Sequence, residues 1–271
     1  MTDQAAPPVA AETHGVSFPA SAVGRLLFWI AVIFSVFQIA TAAHLVDLPS
    51  QITRAVHVGF LIALTFPLIA YARDAGPVLR GLAWTLAAVG VLIAAYQWIE
   101  YRDLILRAGR PTHLDIIIGV AALMTVFAAA YAMMGIALPI ISGLFLAYCL
   151  FGEYLPFPLN HRGYAFEQVI DHMAFGTEGI YGIPIYVSST YIFLFILFGS
   201  FLERAGMITL FTDVSMGLFG HRQGGAAKVS VVSSGLMGTI SGSGVANVVT
   251  TGQFTIPLMK RFGYRAEFAG C

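Results

Sequence analysis

The sequence predicts an all-α polytopic membrane protein, with about six transmembrane helices, one interfacial amphipathic helix and one re-entrant helical hairpin. Three observations carry this. Charged side chains make up 10% of the 271 residues, 14 basic and 14 acidic, while 58% are hydrophobic; soluble domains carry about 25% charged residues. Six apolar runs approach the roughly 20 residues that a membrane-crossing helix needs. A further charge-free stretch, 229–259, is broken in its middle by serine and glycine. The same composition excludes intrinsic disorder. It leaves no basic stripe for nucleic acid and too few polar residues to clothe a soluble surface.

Residues 1–25 are polar and rich in alanine and proline, which predicts a disordered tail. The apolar run behind it is too long for a secretory signal and lacks a convincing cleavage site. The six runs are 26–46, 55–72, 81–99, 116–134, 136–151 and 183–202. Pro139 falls in the first turn of the fifth, where proline is tolerated. The Lys and Arg residues of the loops set orientation. With the N-terminus in the cytoplasm and all six runs crossing, nine lie inside (Arg25, Arg73, Arg80, Arg204, Arg222, Lys228, Lys260, Arg261, Arg265). Five lie outside (Arg54, Arg102, Arg107, Arg110, Arg162). The outer segment 152–182 is then acidic and aromatic, with Glu153, Glu167, Asp171 and Glu178 against Arg162.

Over 205–220, Met207, Phe211, Val214 and Leu218 fall at helical spacing, with Thr212, Asp213 and Ser215 on other faces. This pattern suits an amphipathic helix in the cytoplasmic interface; a helix packed on its neighbours fits as well. His44, His57, Glu203 and Asp213 sit at span ends, where interfacial snorkelling or helix capping accounts for them. Trp29, Trp84 and Trp98 lie near span ends, as interface anchors do. Cys149 lies inside an apolar run and Cys271 is the last residue; neither suggests a disulfide framework, a zinc site or a redox pair.

The stretch VSVVSSGLMGTISGSGVANVVTTGQFTIPLM at 229–259 carries the functional argument. As one helix its 31 residues would run about 46 Å, against a hydrocarbon core of about 30 Å. Its centre, Ser241-Gly242-Ser243-Gly244, is a poor helix interior. Splitting there leaves halves of 12 and 15 residues, and both flanks are basic: Lys228 on one side, Lys260 and Arg261 on the other. A single crossing would place one basic flank outside. A re-entrant hairpin keeps both inside, tolerated where the exposed backbone is buried in protein or lines a wet cavity. At its tip one half-helix ends in free carbonyls, suited to a cation, and the other begins with free amides, suited to an anion. Ser241, Ser243, Thr239, Asn247, Thr250 and Thr251 add neutral hard oxygens, and oxygen coordination suits Na⁺. Secondary transporters use discontinuous helices in this way. A second reading remains beside it: Gly238 and Gly242 form a GxxxG pair that serves close helix packing with no ligand. Ser243 as the nucleophile of an intramembrane hydrolase fails the GxSxG pattern, because position 241 is serine. With no P-loop either, the reading is of a non-enzyme.

These residues resemble a known family. GTISGSGVANVVTTGQFTIPLMKRFGY, at 238–264, is similar to the signature hairpin of TRAP (tripartite ATP-independent periplasmic) transporter large permease subunits. RDLILRAGRPTHLD at 102–115, HRGY at 161–164 and GTEGIYGIP at 176–184 look like the fused form, with small and large membrane subunits in one chain. The resemblance implies a small-subunit-like four-helix scaffold over 26–134. It implies the start of the large-subunit-like transport domain over 135–271, the first half of an inverted-repeat elevator transporter. It implies a Na⁺-coupled importer of carboxylate solutes in a bacterial or archaeal cytoplasmic (inner) membrane. The solute would be delivered by an extracytoplasmic solute-binding protein of the TAXI type. For Asp171, His172 and Glu178 of the acidic outer segment two readings stand, a plain solvated loop face and, as the less favoured, docking of that protein. By the same resemblance Ser241, Gly242, Ser243, Asn247 and Thr250 are candidate Na⁺ ligands, and Ser243, Gly244 and Asn247 candidate substrate contacts. The family continues for several hundred residues past the FAG at 268–270, including a second, inverted hairpin. The resemblance therefore implies that the rest of the site lies outside this sequence, which reads as a partial permease. Two alternatives stand: a non-conducting membrane scaffold or assembly subunit, and a different Na⁺-coupled anion transporter with helical hairpins.

Overall fold

The computed structural model describes residues 22–241 and 244–270. It divides into two compact units, Met1–Thr190 and Tyr191–Cys271. All regular elements among the described residues are helices, and six stretches are long and apolar enough to cross a membrane. The protein is a polytopic all-α membrane protein.

The first unit holds α1 (Ala22–Ala42), α2 (Ser50–Ala72), α3 (Pro77–Ile99), α4 (Tyr101–Leu106), α5 (His113–Met134), α6 (Ala137–Phe151), α7 (Phe166–Ala174) and α8 (Ile183–Val187). A π turn, Ser188–Ile192, follows α8. Each long helix lies within a few residues of its apolar run. The first differs most: the run reaches 46, but the helix stops at Ala42, because the chain turns through a left-handed residue at His44 (φ 53°). His44 is solvent-exposed and pairs with Asp47 at 3.5 Å.

α2 and α3 form the tightest pair. A Cβ at Gly59 would lie 2.7 Å from the Ala94 Cβ, and small residues of this kind let membrane helices approach closely. Ala55, Val58, Ile62, Phe66 and Ala70 of α2 bury against Ala83 of α3 and against Tyr181. Burial pushes the Tyr181 phenol pKa up. Side chains of α2 and α3 fasten the segment after α7 by its backbone. The Gln51 amide donates to the Phe175 carbonyl at 2.5 Å, Arg54 to Tyr181 at 2.7 Å, and Gln97 to Ala174 at 3.2 Å. α6 buries none of its residues: Leu144 and Phe145 stand outward, as lipid-facing residues do.

His57 is a correction. Position alone assigned it to the interface, yet it is 1% exposed. Its ring lies 5.2 Å from Phe34 of α1; Nδ1 meets the Gln38 amide, and Nε2 meets Ser188 Oγ at 3.1 Å. α1 crosses over this turn of α2 and covers it, so snorkelling is not available.

A cluster of charged side chains opens α5. Thr112 caps the helix in a reciprocal capping box with Asp115. Asp115 is fully buried and also accepts from the Tyr96 hydroxyl at 2.6 Å and from Arg107 at 2.9 Å. Arg107 pairs in turn with Glu100 at 3.1 Å. Burial works against the charge of Arg107, but Asp115 and Glu100 hold its pKa above the ordinary value.

The second unit holds α9 (Phe193–Arg204), α10 (Met207–Phe219), α11 (Gly225–Ser241), α12 (Gly244–Arg261) and α13 (Ala266–Ala269). α11 lies between α10 and α12 and packs on both. α10 meets α11 through small polar residues. Val214 and Leu218, two of its four apolar-stripe residues, are exposed, while Ser215 is fully buried and Thr212 Oγ1 meets Ser233 Oγ of α11 at 3.2 Å. The polar side faces protein and much of the apolar side faces outward. In lipid, small polar residues serve the helix contact and large apolar ones the surroundings.

Candidate functional site: the α11–α12 hairpin

α11 and α12 run antiparallel. Gly238 lies beside Asn247, where an added Cβ would be 3.5 Å from the Asn247 Nδ2. At the other end Ala226 and Met259 share a buried cluster with Ala269 of α13. Both pairs are centred on residues 242 and 243, between the end of α11 at Ser241 and the start of α12 at Gly244. Lys228 therefore lies at the same end of the pair as Lys260 and Arg261. The helices are longer than the expected halves, 17 and 18 residues against 12 and 15, because each continues through its basic flank. At about 25–27 Å each, they make a deep hairpin.

Gly242 and Ser243 lie outside the described residues, as do the side chains of Ser241 and Thr250. Gly244 opens α12. Asn247, in the first turns of α12, is the candidate ligand with described contacts. Its Nδ2 donates to the Ser234 carbonyl and to Ser234 Oγ, both at 3.0 Å. A carbonyl can only accept, so the amino group, not the oxygen, faces Ser234. Oδ1 then points away, buried and without a hydrogen-bond partner among the described residues. The atom that Asn247 leaves for a ligand is an acceptor.

The polar face of α12 continues below it. Thr251 Oγ1 donates to the Asn247 carbonyl at 2.6 Å and Thr255 Oγ1 to the Thr251 carbonyl at 2.9 Å, and both threonines are buried. Thr239 is exposed and donates to the Leu236 carbonyl at 2.6 Å. Among the described residues no group of three or more His, Cys, Asp or Glu side chains could hold a metal ion. Of the Gly238–Gly242 pair only Gly238 is among the described residues. An added Cβ at Gly238 meets only an ordinary contact, and one at Gly235 meets nothing within 4 Å.

In the segment expected to face outward, Asp171 Oδ2 accepts from the Gly109 amide at 2.8 Å, tying α7 to the turn after α4. His172 and Glu178 pair at 3.5 Å, both exposed. Asp171 and His172 border a cleft of about 440 Å³ with Gln51, Leu104, Gly109 and Phe175.

Residues 117–271, more than half of the chain and the whole hairpin, match the family described as tripartite ATP-independent periplasmic transporter, DctM component. The chain belongs to this family. Among curated DctM-type relatives it is 36% identical over 70 residues to a putative TRAP transporter large permease protein of Haemophilus influenzae, covering 26% of this chain and 16% of that one. It is 31% identical over 70 residues to the 2,3-diketo-L-gulonate TRAP transporter large permease protein YiaN of Escherichia coli, covering 26% and 16%. It is 32% identical over 74 residues to the C4-dicarboxylate TRAP transporter large permease protein DctM of Rhodobacter capsulatus, covering 27% and 17%. The chain thus spans about a sixth of the length of these relatives. No solved structure matches it. The DctM match begins inside α5, and α1–α4 lie outside it.

Sequence reasoning missed Ser234, Gln38 and Ser188, and did not single out Asp115. The Ser233-Ser234 pair inside a charge-free run was the available signal for the first. For the others, a lone glutamine or aspartate in or beside an apolar span was the signal.

Proposed function

We propose that this chain forms part of the permease of a TRAP transporter, a secondary importer that couples Na⁺ entry to uptake of a carboxylate solute. One observation supports this above the others: an antiparallel helix pair that directs a buried amide oxygen, Asn247 Oδ1, away from Ser234 and without a hydrogen-bond partner among the described residues. Amide and carbonyl oxygens are hard donors that suit a hard cation. Asn247, Ser241, Gly242, Ser243 and Thr250 supply oxygens for Na⁺ in this reading. Ser243 and Gly244, at the amide end of α12, receive the carboxylate, because α12 offers free N–H groups and a positive dipole end there. Asn247 contributes to the cation, since its N–H groups are committed to Ser234. Family membership supports the permease role, and two relatives are named for a C4-dicarboxylate and for 2,3-diketo-L-gulonate, both organic acids.

The remaining parts of the proposal follow the family resemblance. Residues 26–134 act as a small-subunit-like scaffold and 135–271 as the first part of the transport domain, which moves in elevator fashion. The protein sits in the cytoplasmic membrane with its N-terminus inside. A TAXI-type solute-binding protein docks on the outer segment around Asp171, His172 and Glu178. The test is uptake by proteoliposomes holding the intact permease that carries this chain, with its binding protein and a panel of labelled carboxylates beginning with a C4-dicarboxylate. An inward Na⁺ gradient should drive uptake; equal uptake with choline in place of Na⁺ overturns the coupling.

A further inference from the structure

We propose that Ser234 is a positioning residue for the coupling cation: by accepting both hydrogen bonds from the Asn247 amino group, it fixes the carboxamide so that Oδ1 faces the ion. This rests on the reading above, in which Asn247 ligates Na⁺.

Ser234 belongs to α11 and Asn247 to α12, thirteen positions further along the chain. An asparagine side chain at a helix start rotates easily, and its oxygen and nitrogen ends are close in size. A site that needs the oxygen end must therefore prevent the flip. Ser234 offers the amino group two acceptors, its carbonyl and its hydroxyl oxygen, both at 3.0 Å. The flipped amide would set Oδ1 against that carbonyl, two acceptors facing each other, and would leave the N–H groups pointing at the cation. The pair thus enforces one orientation, and its consequence is visible in the buried acceptor left unmet. The contact also bridges the two arms of the hairpin, so the ligand's aim and the pairing of the arms depend on one residue.

The test uses the intact permease in lipid nanodiscs, with Na⁺ alone as probe and choline keeping ionic strength constant. The readout is the Na⁺ concentration that gives half of the maximal thermal stabilisation. Ser234→Ala removes the hydroxyl acceptor and leaves the carbonyl. Loss of one neutral hydrogen bond corresponds to a shift of about fivefold, so half-stabilisation should need about five times more Na⁺. Ser234→Thr keeps the oxygen and should stay within about twofold of wild type. Asn247→Ala should raise the requirement by more than tenfold. If Asn247→Ala shifts the requirement and Ser234→Ala does not, the positioning role is wrong. If Asn247→Ala itself leaves it unchanged, the cation reading of Asn247 fails, independently of Ser234. A Ser234→Ala protein that loses stability equally with and without Na⁺, at unchanged half-stabilisation, marks a merely structural contact and also overturns the proposal. Should Ser234→Ala not be recovered folded, Ser234→Cys, a weaker acceptor of similar size, should lie between wild type and the loss expected for alanine; a wild-type value refutes the idea.

Discussion

Gly90 of α3 faces Ile62 of α2 so closely that a Cβ at position 90 would lie 2.4 Å from the Ile62 Cγ2. A side chain there forces the helices apart along the tightest seam of the first unit. Gly90→Ala should therefore destabilise by about 1–3 kcal/mol through overpacking, even though alanine favours the helix by roughly 1 kcal/mol over glycine. Thermal unfolding in detergent measures it. Combining Gly90→Ala with Ile62→Ala should restore less stability than the relieved clash alone predicts, because the second change opens a cavity; the two effects should be non-additive, since the residues touch. Unchanged stability in Gly90→Ala would show that the seam is looser than described.

The hairpin glycines should behave in the opposite way. A Cβ at Gly235 meets nothing within 4 Å, and one at Gly238 comes no nearer than 3.5 Å to Asn247. Gly235→Ala and Gly238→Ala should keep or raise stability, by up to about 1 kcal/mol each. If Gly238→Ala disrupts the second unit, close packing at this glycine holds the hairpin together, as the GxxxG reading requires.

Arg107 and Asp115 make a further prediction. Asp115 is fully buried, so Arg107→Ala leaves a carboxylate with only Tyr96 and Thr112 to satisfy it. The loss should be about 2 kcal/mol, below the usual figure for breaking a buried pair, because those two partners remain and Arg107 is partly exposed. Asp115→Asn on the Arg107→Ala background should recover part of it by removing the unpaired charge. A simple surface pair would show less than about 1 kcal/mol and no recovery.

The spans were legible in the sequence because they are set by local composition, the length of each apolar run, and the two helices flanking 242–243 pair as the basic residues at both ends of the stretch predict. What escaped was whatever depends on which helices meet. Ser234 and Asn247 find each other through the antiparallel register. His57 is buried because α1 crosses it, and nothing in the sequence states that crossing. For α10 the stripe left an interfacial helix and a packed helix equally open; that Ser215 is buried and Thr212 meets Ser233 depends on how α10 meets α11. Of the candidate Na⁺ and substrate positions, only Asn247 has a described side-chain environment, and its pairing with Ser234 leaves Oδ1, an acceptor, pointing away.

His57 should be among the most sensitive positions of the first unit. His57→Ala opens a cavity beside Phe34 and deprives both Gln38 and Ser188 of a buried partner. Cavity and unmet polar groups together suggest a loss of about 3 kcal/mol. His57→Gln, which can still reach polar neighbours, should lose less. Equal stability of wild type and His57→Ala in thermal unfolding would return this residue to the interface.

The antiparallel hairpin makes the most direct prediction. Single cysteines replacing Lys228 and Lys260 lie at the same end of the α11–α12 pair, an arrangement fixed by the burial of Ala226 with Met259 and by the Gly238–Asn247 contact. On a background lacking Cys149 and Cys271, a membrane-impermeant maleimide applied to oriented vesicles should label both from one side and neither from the other. The basic residues at 228, 260 and 261 favour the cytoplasmic side. Labelling from inside-out vesicles, with protection in right-side-out ones, supports both the hairpin and its orientation. Labelling of both from outside keeps the hairpin and reverses the orientation. Labelling of the two from opposite faces means that the chain crosses the membrane between them, and the broken helix pair could then no longer be a re-entrant element.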